Sequence, residues 1–230
     1  MVRCHCDECG HEWDEQVSRH RMACGDATSE EDTKALVGDR PVALVLTDPP
    51  YGVNWEYEST DDTESNLAKL IAGFLPIARS MAPVVLVTTG NKNQWLYPRP
   101  EWCLCWFVAA GTGSGPWGFC CWQPVLAYGK DPYLAKGKGS HPDGCAITES
   151  APDLAHPCPK PPTVWKWLME RGSTDPGECV YDPFGGSGTT LVVAEQLERD
   201  SLSMELEPKY VAVALERATE MGLIATLEKP

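Results

Sequence analysis

The alternation of short apolar runs with helical segments constrains the fold of this 230-residue chain most. Continuous apolar runs of the kind that form buried strands recur along the sequence, and apolar residues at three- and four-residue intervals mark the helices between them. This pattern is typical of a doubly wound α/β sheet in a single domain. The seven predicted strands cover residues 21–24, 42–46, 84–88, 103–109, 120–128, 179–182 and 201–204.

The strand predicted over residues 42–46 runs into Asp48, Pro49, Pro50 and Tyr51. Proline lacks an N–H and has a fixed φ, so the two prolines form a stiff extended arm with free carbonyls. Asp48 comes at the carboxyl end of the strand, where open α/β sheets bind their ligands. A carboxylate, a carbonyl and an aromatic ring together suit a planar amine, such as the exocyclic NH2 of adenine or cytosine. A proline turn without a function is the competing interpretation.

The strand predicted over residues 179–182 leads into a glycine-rich turn and the start of a helix. Glycines let the backbone approach a ligand closely, and the helix N-terminus offers free N–H groups. Glu205 follows the next strand, where dinucleotide-type folds bind ribose hydroxyls. These features predict a cofactor site formed by Asp182, Pro183, Phe184, Gly185, Gly186, Ser187, Gly188, Thr189 and Glu205.

These stretches resemble the amino-group DNA methyltransferases, which use S-adenosylmethionine. Residues 48–51 match the D-P-P-Y catalytic motif of that family, and residues 184–188 match its F-x-G-x-G cofactor motif. Residues 156–161 are similar to an H-P-T-Q-K-P element, and residues 24–26 to a C-G-D element. The catalytic motif precedes the cofactor motif, which is the circularly permuted β-type order, and the resemblance extends over residues 20–221.

The resemblance implies a Rossmann-like, seven-stranded, mostly parallel sheet, with the two motifs side by side at its switch point. It implies transfer of a methyl group from S-adenosylmethionine to an exocyclic amine of DNA, with adenine N6 favoured over cytosine N4. The catalytic residues would be Asp48, Pro49, Pro50 and Tyr51. The cofactor-binding residues would include Asp26 near the adenine and Lys160 at the pocket edge. A restriction-modification system with a companion nuclease and an orphan or phage-borne enzyme are equally compatible with the resemblance, and so is a homodimer.

The first 24 residues form a Cys/His-rich segment, distinct from the methyltransferase domain predicted over residues 20–230. Cys6 and Cys9 form a C-x2-C-G knuckle of the kind found in zinc ribbons, and structural zinc takes four N or S ligands. We expect the set Cys6, Cys9, His20 and Cys24, with Cys4 and His11 as alternative ligands. A reduced segment without metal is the competing interpretation.

The net charge of −14 is unusual for a protein that binds DNA, because nucleic-acid binders usually carry a basic surface. Lys130, Lys136 and Lys138 form a local basic strip, which we expect to contact DNA. They open a short target-recognition loop, predicted over residues 130–155. A solvated loop without a partner is the alternative for these lysines.

The sequence shows no signal peptide and no apolar run of transmembrane length, so we expect a cytoplasmic, bacterial or phage-encoded protein with reduced cysteines. Two other functions remain open. An RNA or protein-amide methyltransferase would use the same amine chemistry, although its glycine motif usually comes first. A zinc-anchored binding protein on a decayed methyltransferase scaffold would explain the acidic charge and the short recognition loop.

Overall fold

The computed structural model describes residues 2–5, 12–15, 19–53, 61–109, 111, 113–149 and 160–224. The strands are β1 (Val2–His5), β2 (Glu12–Glu15), β3 (His20–Cys24), β4 (Val42–Thr47), β5 (Val84–Thr88), β6 (Trp102–Phe107), β7 (Ser114–Gly115), β8 (Gly118–Phe119), β9 (Trp122–Gly129), β10 (Gly144–Ala146), β11 (Cys179–Asp182) and β12 (Asp200–Glu205). The helices are α1 (Glu30–Val37), α2 (Glu64–Met81), α3 (Gly90–Asn93), followed by a 3-10 turn (Gln94–Leu96), α4 (Pro132–Ala135), α5 (Pro162–Gly172), α6 (Thr189–Gln196) and α7 (Pro208–Glu220).

Eight of these strands form one sheet in the order β10-β6-β9-β5-β4-β11-β12-β3. All neighbouring pairs are parallel except those of β9, which runs antiparallel to both β5 and β6. From β4 the chain continues outward to β5, and from β11 it continues to β12 on the other side. The switch point of the sheet therefore lies between β4 and β11, and the predicted Rossmann-like α/β architecture is confirmed.

The helices cover the two faces of the sheet, and each face has its own apolar core. On one face α2 packs on β4 and β5 and α1 packs on β12 and β3, with Leu36, Ile71 and Phe74 buried there. On the other face α5 and α6 bury Trp165 and Val193. Helix α2 begins after Thr63, whose side chain accepts a hydrogen bond from the Asn66 N–H and so caps the first turn.

The sheet has one strand more than the seven predicted. Strand β10 pairs in parallel with β6 at the edge of the sheet, within the segment expected to be a recognition loop. Its three residues, Gly-Cys-Ala, are too short to show a strand pattern in the sequence. The four-residue helix α4 lies in the same segment, so residues 130–155 contain regular structure.

Among the described residues, none of the helices combines the length and the apolar character that a membrane span requires.

Candidate active site at the sheet switch point

A cavity of about 290 Å³ opens at the carboxyl edge of β4, β11 and β12. Both of the stretches that the sequence singles out line it, although they lie far apart in the chain. The lining includes Asp26, Asp48, Pro49, Pro50, Tyr51, Lys160, Asp182, Pro183, Phe184, Gly185, Gly186, Ser187, Thr189 and Glu205. The fold therefore brings almost all of the predicted catalytic and cofactor-binding residues to one cavity.

Asp48 follows β4 directly, and three donors meet its carboxylate. The Tyr51 hydroxyl donates to Oδ1 at 2.5 Å, and the Thr88 hydroxyl, from the end of β5, donates to the same oxygen. The Lys160 ammonium forms an ion pair with Oδ2. A carboxylate offers about four lone-pair sites, so three donors leave room for about one more hydrogen bond.

Tyr51 is held within the site by both its ring and its hydroxyl. Burial raises the pKa of the hydroxyl, and the adjacent Asp48 charge raises it further. The Tyr51 ring packs against Gly90, where an added Cβ would lie 3.1 Å from a ring carbon. Gly90 has a φ of +65°, so this position suits glycine for both reasons.

Lys160 lines the cavity beside Asp48. Its side chain is buried, its Nζ pairs with Asp48, and the same atom lies 5.1 Å from the centre of the Tyr51 ring. The resemblance implies a cofactor-binding residue at the pocket edge. The carboxyl end of β4 faces the segment that enters α5, and this brings Lys160 to Asp48.

Asp182 connects the two halves of the site. Its buried carboxylate accepts hydrogen bonds from the Thr47 hydroxyl at 2.7 Å, from the Phe184 N–H at 3.0 Å and from the Thr190 hydroxyl. Burial raises its pKa to about 6, although these hydrogen bonds oppose the shift. The side chain is thus committed to the protein itself, and it joins the end of β4 to the start of α6.

The glycine-rich turn after β11 forms a close backbone cradle. At Gly185 an added Cβ would lie 2.9 Å from the Ser203 side chain, and at Gly188 it would lie 2.7 Å from Ala214. The Arg217 guanidinium reaches from α7 to the Ser187 carbonyl at 2.6 Å and so fixes the turn. These glycines serve close packing as well as the approach of a ligand.

Glu205 lies at the end of β12 and faces the cavity, as predicted. Its carboxylate accepts the backbone N–H groups of Gly186 and Glu207, both at 2.9 Å. Burial raises its pKa. Asp26 follows β3, the strand next to β12, and its Oδ1 accepts the N–H and the hydroxyl of Thr28 at 2.8 Å.

The sequence reading missed the hydroxyl and amide groups that hold the site together. Thr47, Thr88 and Thr190 surround the two aspartates, but threonine at the end of a strand or the start of a helix is common and gives no signal by itself. Arg217 and Trp165 also went unnoticed. The Trp165 indole N–H donates to the Thr190 hydroxyl at 2.7 Å, which a buried, core-facing pattern does not reveal.

The predicted zinc ligands fall largely outside the described residues. The side chains of Cys4, Cys6, Cys9 and His11 are not described. His20 and Cys24 lie at opposite ends of the extended strand β3, roughly 13 Å apart at a rise of about 3.3 Å per residue. Side chains on an extended strand stand roughly perpendicular to it, so this backbone separation does not bring the two side chains together at one zinc ion. The zinc ligand set stays a prediction.

His20 also has other partners. Its Nδ1 is 2.8 Å from the Ser201 hydroxyl, and its Nε2 is 2.9 Å from the Glu195 carboxylate. The hydrogen bond with His20 is the main cause that lowers the pKa of Glu195. Within the described part of the chain, no cluster of three or more metal-binding side chains occurs.

The predicted DNA-binding lysines lie at the wrong edge of the sheet. They follow β9, which runs antiparallel to β5 and therefore ends at the edge opposite to Asp48. Lys136 pairs there with Glu178 at 2.5 Å and Asp175 at 2.9 Å, and Lys138 pairs with Asp175. Hydrogen bonds to Glu178 and Asp175 raise the pKa of Lys136. Lys130, Lys136 and Lys138 therefore lie at the edge opposite to Asp48, and this position does not support their expected contact with DNA.

A profile of the N6/N4 methyltransferases, described as "DNA methylase", matches residues 93–216, more than half of the chain. The type II methyltransferase M.XycI of Xanthomonas campestris pv. cyanopsidis is 36% identical over 74 residues, which are 32% of this chain and 21% of that protein. The chain covers less than a quarter of the length of M.XycI and of two further type II methyltransferases that it matches.

Two solved structures share the fold. PvuII DNA methyltransferase (cytosine-N4-specific) superimposes with a TM-score of 0.61 and 21% identity, over 87% of this chain and 86% of that one. The M1.HpyAVI–SAM complex gives a TM-score of 0.62 and 20% identity, over 86% of this chain and 99% of that one. The family profile matches more than half of the chain, and the sheet order and the switch-point cavity fit this match. The chain therefore belongs to the N6/N4 DNA methylase family.

Proposed function

We propose that this protein transfers the methyl group of S-adenosylmethionine to an exocyclic amino group of a DNA base, with adenine N6 as the target. The observation that carries the proposal is the shared cavity, in which Asp48 and Tyr51 face the glycine-rich turn and Glu205. Family membership and the S-adenosylmethionine complex of the structural relative M1.HpyAVI support it.

The residues around the turn fit this methyl donor. Glycines 185 and 186 bring the backbone to the cavity wall, and the Glu205 carboxylate is placed where ribose hydroxyls could replace a backbone partner. Phe184 packs edge-on against Phe74, with ring centres 5.0 Å apart, and stiffens the apolar side of the cavity. Bound there, S-adenosylmethionine would supply an electrophilic methyl group on sulfur.

Asp48 would accept one N–H of the target amine through its remaining acceptor position, and the Pro49 carbonyl would accept the other. Two such bonds favour a tetrahedral nitrogen with a localised lone pair, which is the better nucleophile. The nitrogen lone pair would form the new N–C bond as the S–C bond breaks. The electron pair of that bond would stay on sulfur, giving S-adenosylhomocysteine, and the methylated amine would release one proton to solvent. Tyr51 and Lys160 fix the carboxylate, so that orientation supplies much of the rate enhancement.

DNA would approach from the carboxyl edge of the sheet, and exposed aromatic side chains mark that edge. Trp95 is 83% exposed on the turn that follows α3. Trp117 and Phe119 are fully and 82% exposed on the β7–β8 hairpin, which follows β6 at the same edge. Aromatic rings stack on bases of any sequence, so this surface compensates for the scarcity of positive charge.

Cytosine N4 is the second candidate target, because PvuII DNA methyltransferase, a cytosine-N4 enzyme, has the same fold. The test is methyl transfer from labelled S-adenosylmethionine to DNA duplexes, with the nucleosides separated afterwards. N6-methyladenine is the expected product. N4-methylcytosine would replace the proposed target, and transfer to RNA or protein but not to DNA would overturn the proposal.

A further inference from the structure

Two buried polar side chains hold the backbone of the catalytic loop from opposite sides. Asp62 is 5% exposed and Asn93 is 4% exposed. They come from different parts of the chain, since Asp62 precedes α2 and Asn93 ends α3. The sequence motifs include neither residue, and neither has a part in the chemistry described above.

Asp62 accepts the N–H groups that follow the catalytic tyrosine. The Gly52 N–H donates to Asp62 Oδ1 at 2.6 Å, and the Val53 N–H donates to Oδ2 at 3.0 Å. One carboxylate thereby satisfies two successive amides, which is a charge-assisted and geometrically specific arrangement. The side chain also ties residue 53 to residue 62, which lies two positions before the start of α2.

Asn93 binds the carbonyls of the same stretch. Its Nδ2 donates to the Tyr51 carbonyl at 2.7 Å and to the Gly52 carbonyl at 3.1 Å. Gly52 has a φ of +68°, and an added Cβ at this position would lie 2.9 Å from Asn93 Nδ2. The glycine after D-P-P-Y is therefore required for the amide of Asn93 to approach.

From these contacts we propose that Asp62 and Asn93 are positioning residues, which set the place of the Tyr51 ring and of the Asp48 carboxylate by clamping residues 51–53. The proposal rests on the proposed methyl transfer. Tyr51 is joined to Asp48 through its hydroxyl, so a shift of the Tyr51 backbone moves the acceptor of the target amine. Displacements of about 1 Å can cost about 100-fold in rate.

The test uses isosteric substitutions that reverse the hydrogen-bonding role. Asn93→Asp places oxygens against the two carbonyls, and Asp62→Asn places an NH2 group against one of the two amides. We expect kcat for DNA methylation to fall about 10- to 100-fold in each, while the Kd for S-adenosylmethionine changes less than about twofold. Gln94→Ala is the matched control, because within the described ranges the Gln94 amide donates inside its own turn, to the Asn91 carbonyl at 3.0 Å.

A double-mutant cycle separates positioning from general destabilisation. If both residues act through the same three-residue segment, the double variant should lose little more activity than the worse single variant. The proposal would be overturned if the fold-loss of activity in the double variant equalled the product of the two single fold-losses. It would also be overturned if the variants lost affinity for S-adenosylmethionine in parallel with activity.

Hydrogen exchange of the Gly52 and Val53 amides provides a readout that does not depend on activity. Both amides should be protected in the parent protein and should exchange faster in Asp62→Ala, whereas unchanged exchange would contradict the clamp. If the parent protein fails to methylate DNA while this protection is present, the proposed function fails and the clamp remains.

Discussion

The Thr47 hydroxyl donates a 2.7 Å hydrogen bond to the buried carboxylate of Asp182, across the switch point of the sheet. Thr47 is the last residue of the strand that leads to Asp48, and Asp182 is the last residue of the strand that leads to the glycine-rich turn. Together with the backbone pairing of β4 and β11, this contact joins the strand end that carries Asp48 to the strand end that leads into the glycine-rich turn. A substitution of Asp182 should therefore lower both the stability of the fold and the rate of methyl transfer.

Asp182 should give the protein a measurable pH dependence of stability. Its folded pKa is about 6, above the unfolded value, so the folded state keeps a proton that the unfolded state has already lost. Its contribution to stability is fully present below about pH 4 and is lost as the pH rises to about 6, with a total of roughly 2–3 kcal/mol.

The Asp182→Asn variant has no titratable group at this position, so its stability should lack the pH-dependent contribution of Asp182. We expect the free energy of unfolding of the parent, relative to the variant, to fall by roughly 2–3 kcal/mol between pH 4 and pH 7. Urea denaturation of both proteins across this range measures the difference. Parallel pH profiles would show that Asp182 does not carry the raised pKa.

Asp48→Ala should abolish methyl transfer and retain binding of S-adenosylmethionine. The carboxylate faces the amine side of the cavity, and the cofactor side is built from the turn after β11 and from Glu205. Isothermal titration calorimetry measures cofactor affinity, and labelled methyl transfer measures activity. Full activity in the variant, or complete loss of cofactor affinity, would refute the assignment of Asp48.

Thr88→Val should slow methyl transfer about 10- to 100-fold, because it removes a hydroxyl donor to the Asp48 carboxylate and keeps the shape of the side chain. Cofactor affinity should not change. Thr33→Val is a suitable control, since Thr33 is equally buried but lies on α1, where its hydroxyl is 3.5 Å from the Tyr181 hydroxyl. Equal rates in the parent and in Thr88→Val would exclude this role.

The two aspartates and the glycine-rich turn could be predicted because each follows an apolar run that can only be a strand, and strand ends meet at one edge of a parallel sheet. Their partners could not be predicted. Asn93 meets Gly52 from 41 positions further along the chain, and no local pattern encodes such a contact. The contact depends on the order of the strands, which the sequence does not display.

The position of Lys130, Lys136 and Lys138 could not be predicted either, because the sequence does not show the direction of the strand before them. Strand β9 is apolar on both faces over most of its length, and such a run looks the same whether the strand is parallel or antiparallel. Because β9 is antiparallel, the residues that follow it emerge at the far edge of the sheet. The sequence gives the charge of Lys136 and Lys138, but it does not specify the direction of β9, and that direction decides the edge of the sheet at which these lysines lie.

The zinc hypothesis now leads to a narrower ligand set. Since β3 separates His20 from Cys24, a site in this segment would use Cys4, Cys6, Cys9 and His11, which are four N or S donors. We expect about one zinc per chain, lost in Cys6→Ser and retained in Cys24→Ser. Elemental analysis of protein never exposed to chelator measures this. Protein without zinc, or loss of zinc in Cys24→Ser, would contradict this set.

DNA affinity should depend on the aromatic edge rather than on the lysines. Trp117→Ala removes a fully exposed ring at the carboxyl edge, and we expect it to weaken DNA binding by about 1–3 kcal/mol, the usual value of base–aromatic stacking. Lys136→Ala combined with Lys138→Ala should leave both the affinity and its salt dependence unchanged, because these lysines pair with Asp175 and Glu178 at the opposite edge.

Fluorescence anisotropy with a labelled duplex at several salt concentrations compares the two variants. If the lysine variant lost affinity and its salt slope fell by about one unit per lysine, DNA would have to reach the opposite edge, and the approach proposed for the target base would be wrong.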